Sequence, residues 1–128
     1  MAKDQLKLIR TTKYPLEAFL FVQRGLDFTV RRIHGEPSGE TDQVARHVTG
    51  QALCLGLRDY AIKQYGLLAK PVLTHWNIKD CSDFGHIVFA LVDAALMHKT
   101  EEDSIQDFTD VYDFDEAFDS GLQLSENN

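Results

Sequence analysis

Three side chains that can ligate a metal or move protons, Asp83, His86 and Asp93, lie on one predicted helix. Asp83 and His86 are three residues apart and share a helical face, and a carboxylate with an imidazole suits zinc, manganese or iron. Asp93 lies about two turns beyond His86, so a third ligand to one ion would have to come from elsewhere, such as His47 or His75. The alternative is a helix cap beside a hydrogen-bonded histidine. We favour that alternative and expect no metal, no cofactor and no catalytic residue.

The sequence holds two cysteines, Cys54 and Cys81, and neither belongs to a metal-binding or disulfide-forming motif. We therefore expect reduced thiols, as in a cytoplasmic protein. A cysteine–histidine nucleophile pair stays open, although Cys54 on an apolar helix face is a poor candidate because such cysteines usually belong to the core. Residues 83–85 spell the Asp-Phe-Gly of protein kinases, but the other kinase motifs are absent and so are the nucleophile-elbow, P-loop and dinucleotide fingerprints.

Charge is distributed unevenly along the chain. Residues 1–79 carry a balance of +5 and residues 80–128 a balance of −12, which gives the net charge of −7. Such asymmetry can mark a surface for a partner, but it also fits an acidic segment folded over the basic part of its own domain. The candidate partner-binding residues are Arg24, Arg31, Arg32 and Arg46.

The acidic part of the chain also carries large apolar residues, which a solvated tail would not need. They lie within residues 101–119 and are Ile105, Phe108, Tyr112, Phe114 and Phe118. We therefore expect this segment to dock on its own domain, near the arginines of the predicted helix 15–34.

Helices must position all of these groups. From Phe84 to Leu96, apolar residues recur at helical spacing and cover nearly the whole circumference, which predicts a buried central helix at 83–97 with Ser82 as its N-cap. Further helices are predicted at 15–34, with Pro15 as the first helical residue, and at 67–76. Another is predicted at 49–65, with Thr49 as its N-cap and Gly66 as the residue that ends it.

The fold class that follows is mainly α: a single domain spanning 1–128, built as a multi-helix bundle around helix 83–97. It has a loop at 35–43 and a frayed tail at 120–128. A small winged-helix-like β-hairpin near 96–114 is an open alternative. A DNA-binding role for such a fold is disfavoured because residues 81–97 contain no Lys or Arg to contact phosphate. No apolar run approaches the roughly 20 residues of a membrane span, so we expect a cytoplasmic protein.

Four blocks of sequence are distinctive: Y-P-L-E-A-F-L-F-V (14–22), H-V-T-G-Q (47–51), the helix at 83–97, and D-F-T-D-V-Y-D-F-D-E-A-F (107–118). Together they resemble a conserved hypothetical protein family of planctomycetes and verrucomicrobia. The resemblance extends from Tyr14 to Phe118. It implies a bacterial, cytoplasmic protein, and it carries over no activity, cofactor or catalytic residue.

The sequence thus assigns no specific activity, and it leans away from an enzyme. We expect a protein-interaction or regulatory module with an unidentified protein partner, and homo-oligomerisation stays open. The alternatives are a small metal-dependent or hydrolytic enzyme centred on His86, or a nucleic-acid-associated regulator. Nucleic acid is the less favoured partner, and no membrane association is expected.

Overall fold

The structure is a computed structural model that describes residues 3–36, 47–97 and 104–118. Five α-helices occupy most of this part of the chain: α1 (Lys3–Thr11), α2 (Leu16–His34), α3 (Gly50–Tyr65), α4 (Ala69–His75) and α5 (Cys81–Asp93). Short 3₁₀ turns lie at Gly66–Leu68 and Ile105–Phe108, and residues 114–118 form one further helical turn. The mainly α prediction is confirmed.

The hairpin alternative near 96–114 is wrong for the residues that the structure describes there. Residues 105–108 are a 3₁₀ turn, and no strand occurs in 3–36, 47–97 or 104–118. A sequence reason is visible in retrospect: Ser104 accepts a hydrogen bond from the N–H of Gln106, and Asp107 accepts one from the N–H of Ser104. These side-chain caps favour a helical turn over an extended strand. The predicted tail 120–128 and most of the loop 35–43 lie outside the described residues.

Helices α2 and α3 cross closely because small residues meet at their contact. A Cβ atom built on Gly56 of α3 would lie 1.9 Å from the hydroxyl oxygen of Thr29 on α2. A Cβ on Gly25 would lie 2.2 Å from the side chain of Leu57. Each glycine therefore makes room for the opposite helix, which explains a mid-helix glycine that would otherwise lower helix stability. Thr29 is fully buried and donates its hydroxyl hydrogen bond to the Gly25 carbonyl at 2.7 Å.

Helix α5 is the buried centre that its apolar sequence predicts. Phe84, Ile87 and Leu91 are each at most 1% exposed. Its limits differ from the prediction at both ends. The N-cap is Asp80, not Ser82, and it forms a reciprocal capping box with Asp83.

The predicted end of the central helix at Met97 is also wrong, because α5 ends at Asp93. Ala95 adopts a left-handed φ of 61°, and the N–H of Leu96 turns back to the carbonyl of Leu91 at 2.9 Å. This backbone closure terminates the helix without a glycine. The helix predicted at 67–76 is divided into a 3₁₀ turn and α4.

The acidic segment does dock on its own domain, but not where the charges suggested. Its 3₁₀ turn at 105–108 packs against α3 and α5, Phe114 packs on Phe84 of α5, and within the described residues no ion pair joins residues 104–118 to the arginines of α2. Gly50 and Gly85 form the seat: a Cβ on either would come within 3.0 Å of Phe108 or of its neighbour Asp107. Phe108, Phe114 and Phe118 are each at most 6% exposed, so apolar burial places the segment.

Within the described residues, no helix combines the length and the apolar character needed to cross a membrane.

Candidate functional site

An open groove runs along the exposed side of α2, next to α3. Its volume is about 560 Å³. The residues that line it come mostly from successive turns of α2, with one aromatic ring from α3: Leu20, Gln23, Arg24, Asp27, Phe28, Arg31 and Tyr60. Two of the four arginines selected from the sequence, Arg24 and Arg31, thus lie in a concave surface that can take a ligand.

Two aromatic rings, Phe28 and Tyr60, line the groove, and two cations lie near the Phe28 ring. The rings of Phe28 and Tyr60 lie 5.4 Å apart between centroids. The guanidinium of Arg32 lies 5.3 Å from the centre of the Phe28 ring, and the ammonium of Lys63 lies 5.4 Å from it. These cation–π contacts hold positive charge beside the apolar floor.

The groove arginines differ in how far their charge is already neutralised. Arg31 pairs with Asp27 at 3.1 Å and with Glu36 at 3.3 Å. Arg32, beside the groove, pairs with Asp59 at 2.7 Å. Arg24 has no acidic partner in the part of the chain that the structure describes, and it is exposed. It is therefore the cation best placed to pair with an incoming carboxylate.

Asp59 explains why Arg32 contributes less to the groove's free charge. Burial alone would raise the pKa of this carboxyl, but hydrogen bonds from Arg58 and Arg32 hold it below its usual value. Asp59 is therefore ionised at neutral pH and neutralises Arg32. Arg46, the fourth candidate from the sequence, lies outside the described residues.

The second candidate site surrounds His86. The Tyr14 hydroxyl donates a short hydrogen bond to Oδ1 of Asp83, and Nδ1 of His86 lies 3.5 Å from that hydroxyl oxygen. The His86 Nδ1 atom is 3.8 Å from Asp83 Oδ1, and the Lys13 ammonium is 3.3 Å from the same oxygen. Asp83 and Tyr14 are buried, whereas Lys13 and His86 are exposed.

The electrostatics of this cluster favour a structural role for Asp83. Burial opposes its ionisation, but hydrogen bonds from Tyr14 and the Lys79 N–H, together with Lys13, lower the Asp83 pKa below its usual value. Burial and the neighbouring Asp83 charge raise the pKa of Tyr14 above its usual value. At neutral pH the pair is thus a carboxylate and a neutral phenol, which is a stable hydrogen-bonded arrangement.

The structure brings Asp83 and His86 together but leaves the other predicted ligands apart from them. Asp93 is exposed near the far end of α5, about 10 Å along the axis from His86. Across residues 3–36, 47–97 and 104–118, no three His, Cys, Asp or Glu side chains come together as metal ligands would. Our expectation that no metal binds stays a prediction.

Sequence reasoning missed two contacts in this region. It did not pair Tyr14 with Asp83, which are 69 residues apart, and it did not bring Cys54 beside Cys81. Neither contact leaves a local pattern in the sequence, because each is set by how helices pack. The predicted central helix at 83–97 did not include Cys81, so no sequence signal would have brought the two cysteines together.

Comparison of the chain with family models, with curated proteins and with solved structures finds no match in any of the three. The resemblance to the planctomycete and verrucomicrobial family therefore stays a prediction from the sequence blocks.

Proposed function

We propose that this protein is a protein-interaction module, and that the α2 groove binds an acidic peptide segment carrying an aromatic or large aliphatic side chain. The observation that carries the proposal is that Arg24 and Arg31 line the same groove as the neighbouring rings of Phe28 and Tyr60. Arginine and tyrosine are enriched among the residues that dominate binding energy at protein interfaces.

Each part of the groove has a matching role in such a complex. Arg24 would pair with a carboxylate of the partner, and its planar fork allows two parallel hydrogen bonds. The aromatic floor would bury the partner's apolar side chain, which supplies most of the affinity. Arg31 would exchange its exposed pairs with Asp27 and Glu36 for the partner, at small cost because exposed ion pairs are weak.

We also propose that the protein works in the cytoplasm, where thiols stay reduced. The free thiols of Cys54 and Cys81 support this location.

Selection from a phage-displayed random peptide library tests the proposal without assuming a partner. The wild-type protein should enrich sequences that combine Asp or Glu with Phe, Leu or Trp. The Arg24→Glu variant should lose that enrichment, whereas Arg10→Glu, an exposed arginine on α1 away from the groove, should keep it. Binding of the selected peptides, followed by fluorescence anisotropy, should weaken as salt rises.

Two results would contradict this function. One is enrichment of peptides with no acidic residues. The other is an equal loss of binding in the Arg24 and Arg10 variants, since that would show an effect of overall charge and not of the groove.

One observation favours a second candidate, a small hydrolytic or metal-dependent enzyme. A buried carboxylate, Asp83, lies beside an exposed imidazole, His86, which leaves the Nε2 atom of that ring available for proton transfer. Hydrolysis of p-nitrophenyl acetate should then fall in His86→Ala but not in His75→Ala, which removes another exposed histidine. Equal rates in both variants, with no zinc, iron or manganese by elemental analysis, would dismiss this candidate.

A further inference from the structure

A carboxylate that holds two arginines at once lies beside the α2 groove. It belongs to Asp59 of α3, and its Oδ2 atom accepts a 2.7 Å hydrogen bond from Nη1 of Arg32, in the last turn of α2. Its Oδ1 atom accepts a 2.9 Å hydrogen bond from Nε of Arg58. Both oxygen atoms of Asp59 are therefore engaged, and the carboxylate links α2 to α3 next to the groove.

Each of the two arginines also contacts an aromatic ring. The guanidinium of Arg32 lies 5.3 Å from the centre of the Phe28 ring, which lines the groove. The guanidinium of Arg58 lies 5.8 Å from the centre of the Tyr112 ring, in the docked segment 104–118. Cation–π contacts of this kind limit how freely the two side chains can turn away from Asp59. The bridge is thus more constrained than an ion pair between two solvated side chains.

Asp59 is better shielded from water than the acidic partners of Arg31. Its side chain is 33% exposed, whereas those of Asp27 and Glu36 are 65% and 77% exposed. Exposed ion pairs are weak and are screened by salt, and partly buried pairs are screened less. An arriving anion should therefore displace the pairs of Arg31 more readily than it displaces Asp59 from Arg32. Arg32 thus keeps a negative charge beside the groove.

This fixed negative charge affects anions according to the charge that they carry. An anion that approaches Arg32 also approaches Asp59, and the repulsion grows in proportion to the charge of the anion. A peptide carboxylate carries one negative charge, whereas a phosphorylated side chain carries about −1.5 to −2 at pH 7. The carboxylate of Asp59 therefore opposes the binding of a phosphate more than the binding of a carboxylate.

We propose that Asp59 sets the charge selectivity of the α2 groove, so that the groove accepts partners whose acidic group is a carboxylate and disfavours partners in which that group is a phosphate. The inference rests on the function proposed above, because it specifies which acidic peptides the groove binds. The geometry that carries it is the carboxylate held 2.7 Å from Arg32 at the edge of the groove. Selection between two related ligands often depends on such a repulsive element.

Two small anions test the proposal without a peptide partner, because each joins an aromatic ring to an acidic group. At about pH 7.5, phenylacetate carries one negative charge and phenyl phosphate carries close to two. Each is titrated into the isotope-labelled full chain at fixed ionic strength, and binding is followed by nuclear magnetic resonance through the backbone amides of α2. We expect the amides of Arg24 and Phe28 to shift, and phenylacetate to bind with the lower Kd.

A nearly isosteric variant isolates the charge of Asp59, with folding checked by circular dichroism. In Asp59→Asn, the ratio of the Kd of phenyl phosphate to that of phenylacetate should fall about two- to fivefold, which is the usual size of one partly exposed charge interaction. Asp93→Asn removes an exposed aspartate on α5 and should leave this ratio unchanged.

The results separate this inference from the proposed function. If both anions shift the α2 amides but the ratio is the same in wild type and Asp59→Asn, Asp59 does not set the selectivity, and the groove still binds anions. An equal fall of the ratio in Asp59→Asn and Asp93→Asn would show an effect of net charge and would also overturn the inference. If neither anion shifts the α2 amides in wild type or Asp59→Asn, the proposed function is wrong as well.

Discussion

At the scale of a single residue, the carboxylate of Asp83 joins three parts of the chain. Its Oδ2 atom accepts hydrogen bonds from the N–H groups of Lys79 at 2.8 Å and Asp80 at 3.3 Å, which fixes the turn that enters α5. Its Oδ1 atom accepts the Tyr14 hydroxyl and so connects the approach to α2 with α5. Because the carboxylate is only 5% exposed, water competes poorly for these bonds.

Replacing this carboxylate should make stability depend less on acidic pH. Asp83→Asn should lower the free energy of unfolding by about 1–3 kcal/mol at pH 7, because the buried partners lose a charged acceptor. The folded-state pKa of Asp83 lies below its unfolded value of about 3.9, so its contribution is full above roughly pH 5 and is lost as pH falls through the folded pKa. The difference between wild type and variant should therefore shrink on acidification, as measured by urea titration at several pH values.

Asp93→Asn is the matched control for this experiment, since it changes an exposed aspartate on the same helix. It should shift the free energy of unfolding by less than about 0.5 kcal/mol at every pH. A constant difference between Asp83→Asn and wild type from pH 7 to pH 3 would mean that the ionised form is not what stabilises the fold.

At the scale of elements, α2 and α3 can cross closely because Gly25 and Gly56 carry no side chain at their contact. Gly56→Ala should lower the free energy of unfolding by about 1–3 kcal/mol, because the new methyl group would overlap the Thr29 side chain. This loss should exceed the roughly 1 kcal/mol gained from the better helix propensity of alanine. Thermal unfolding followed by circular dichroism measures the change.

The double variant Gly56→Ala/Thr29→Ala supplies the control. It removes two of the three Thr29 atoms that the new methyl group would approach most closely, so the two substitutions should cost less together than the sum of their separate costs. Simple additivity would indicate that the helices move apart instead of overlapping at this point.

The docked segment gives a second prediction at this scale. Phe114 packs on Phe84 at a ring distance of 5.6 Å and on Phe118 at 5.1 Å, so Phe114→Ala should cost about 3–5 kcal/mol. Leu68→Ala removes an apolar side chain that is 64% exposed and should cost less than about 0.5 kcal/mol. If denaturant titration gave similar small values for both, the segment would not belong to the cooperative fold.

At the scale of the whole molecule, α5 connects the bundle to the docked segment, because both bury side chains against it. Leu91→Ala should therefore lower the free energy of unfolding by about 2–5 kcal/mol. The sole tryptophan, Trp76, packs on Phe21, so its fluorescence reports on α2 and α4. Fluorescence and far-ultraviolet circular dichroism should give coincident urea transitions in wild type and variant. A loss below about 1 kcal/mol would show that Leu91 does not belong to the core. Transitions that do not coincide would show that the bundle and the docked segment unfold separately.

The sequence predicts those features that local residues determine. Thr49 and Gly66 bound α3 as expected, because an N-cap hydroxyl and a terminating glycine act within one turn. Sequence reasoning fails where two local choices compete or where packing decides. Asp80 caps α5 in place of Ser82 because it can exchange hydrogen bonds with Asp83.

The docking position of residues 104–118 could not be read from charge for a related reason. Exposed ion pairs contribute little, whereas burial of three phenylalanine side chains contributes several kcal/mol. The docking position is decided by Gly50 and Gly85, which leave room for Phe108. No local sequence pattern shows that a glycine will contact a residue so far along the chain. Arg24 and Arg31 could be selected as candidates because a charged helix face is a local pattern, and their role in binding stays a prediction.

The seat for residues 104–118 also imposes an order in time. Helices α3 and α5 are synthesised before the segment that covers them, so a growing chain carries the bare seat until that segment has emerged. At the usual ~5–20 residues per second, the ribosome takes roughly one to five seconds to make the residues between the end of α5 and Phe118. During that interval Phe84, which the finished protein covers with Phe114, stays uncovered, so a chaperone can bind this apolar surface before the segment docks.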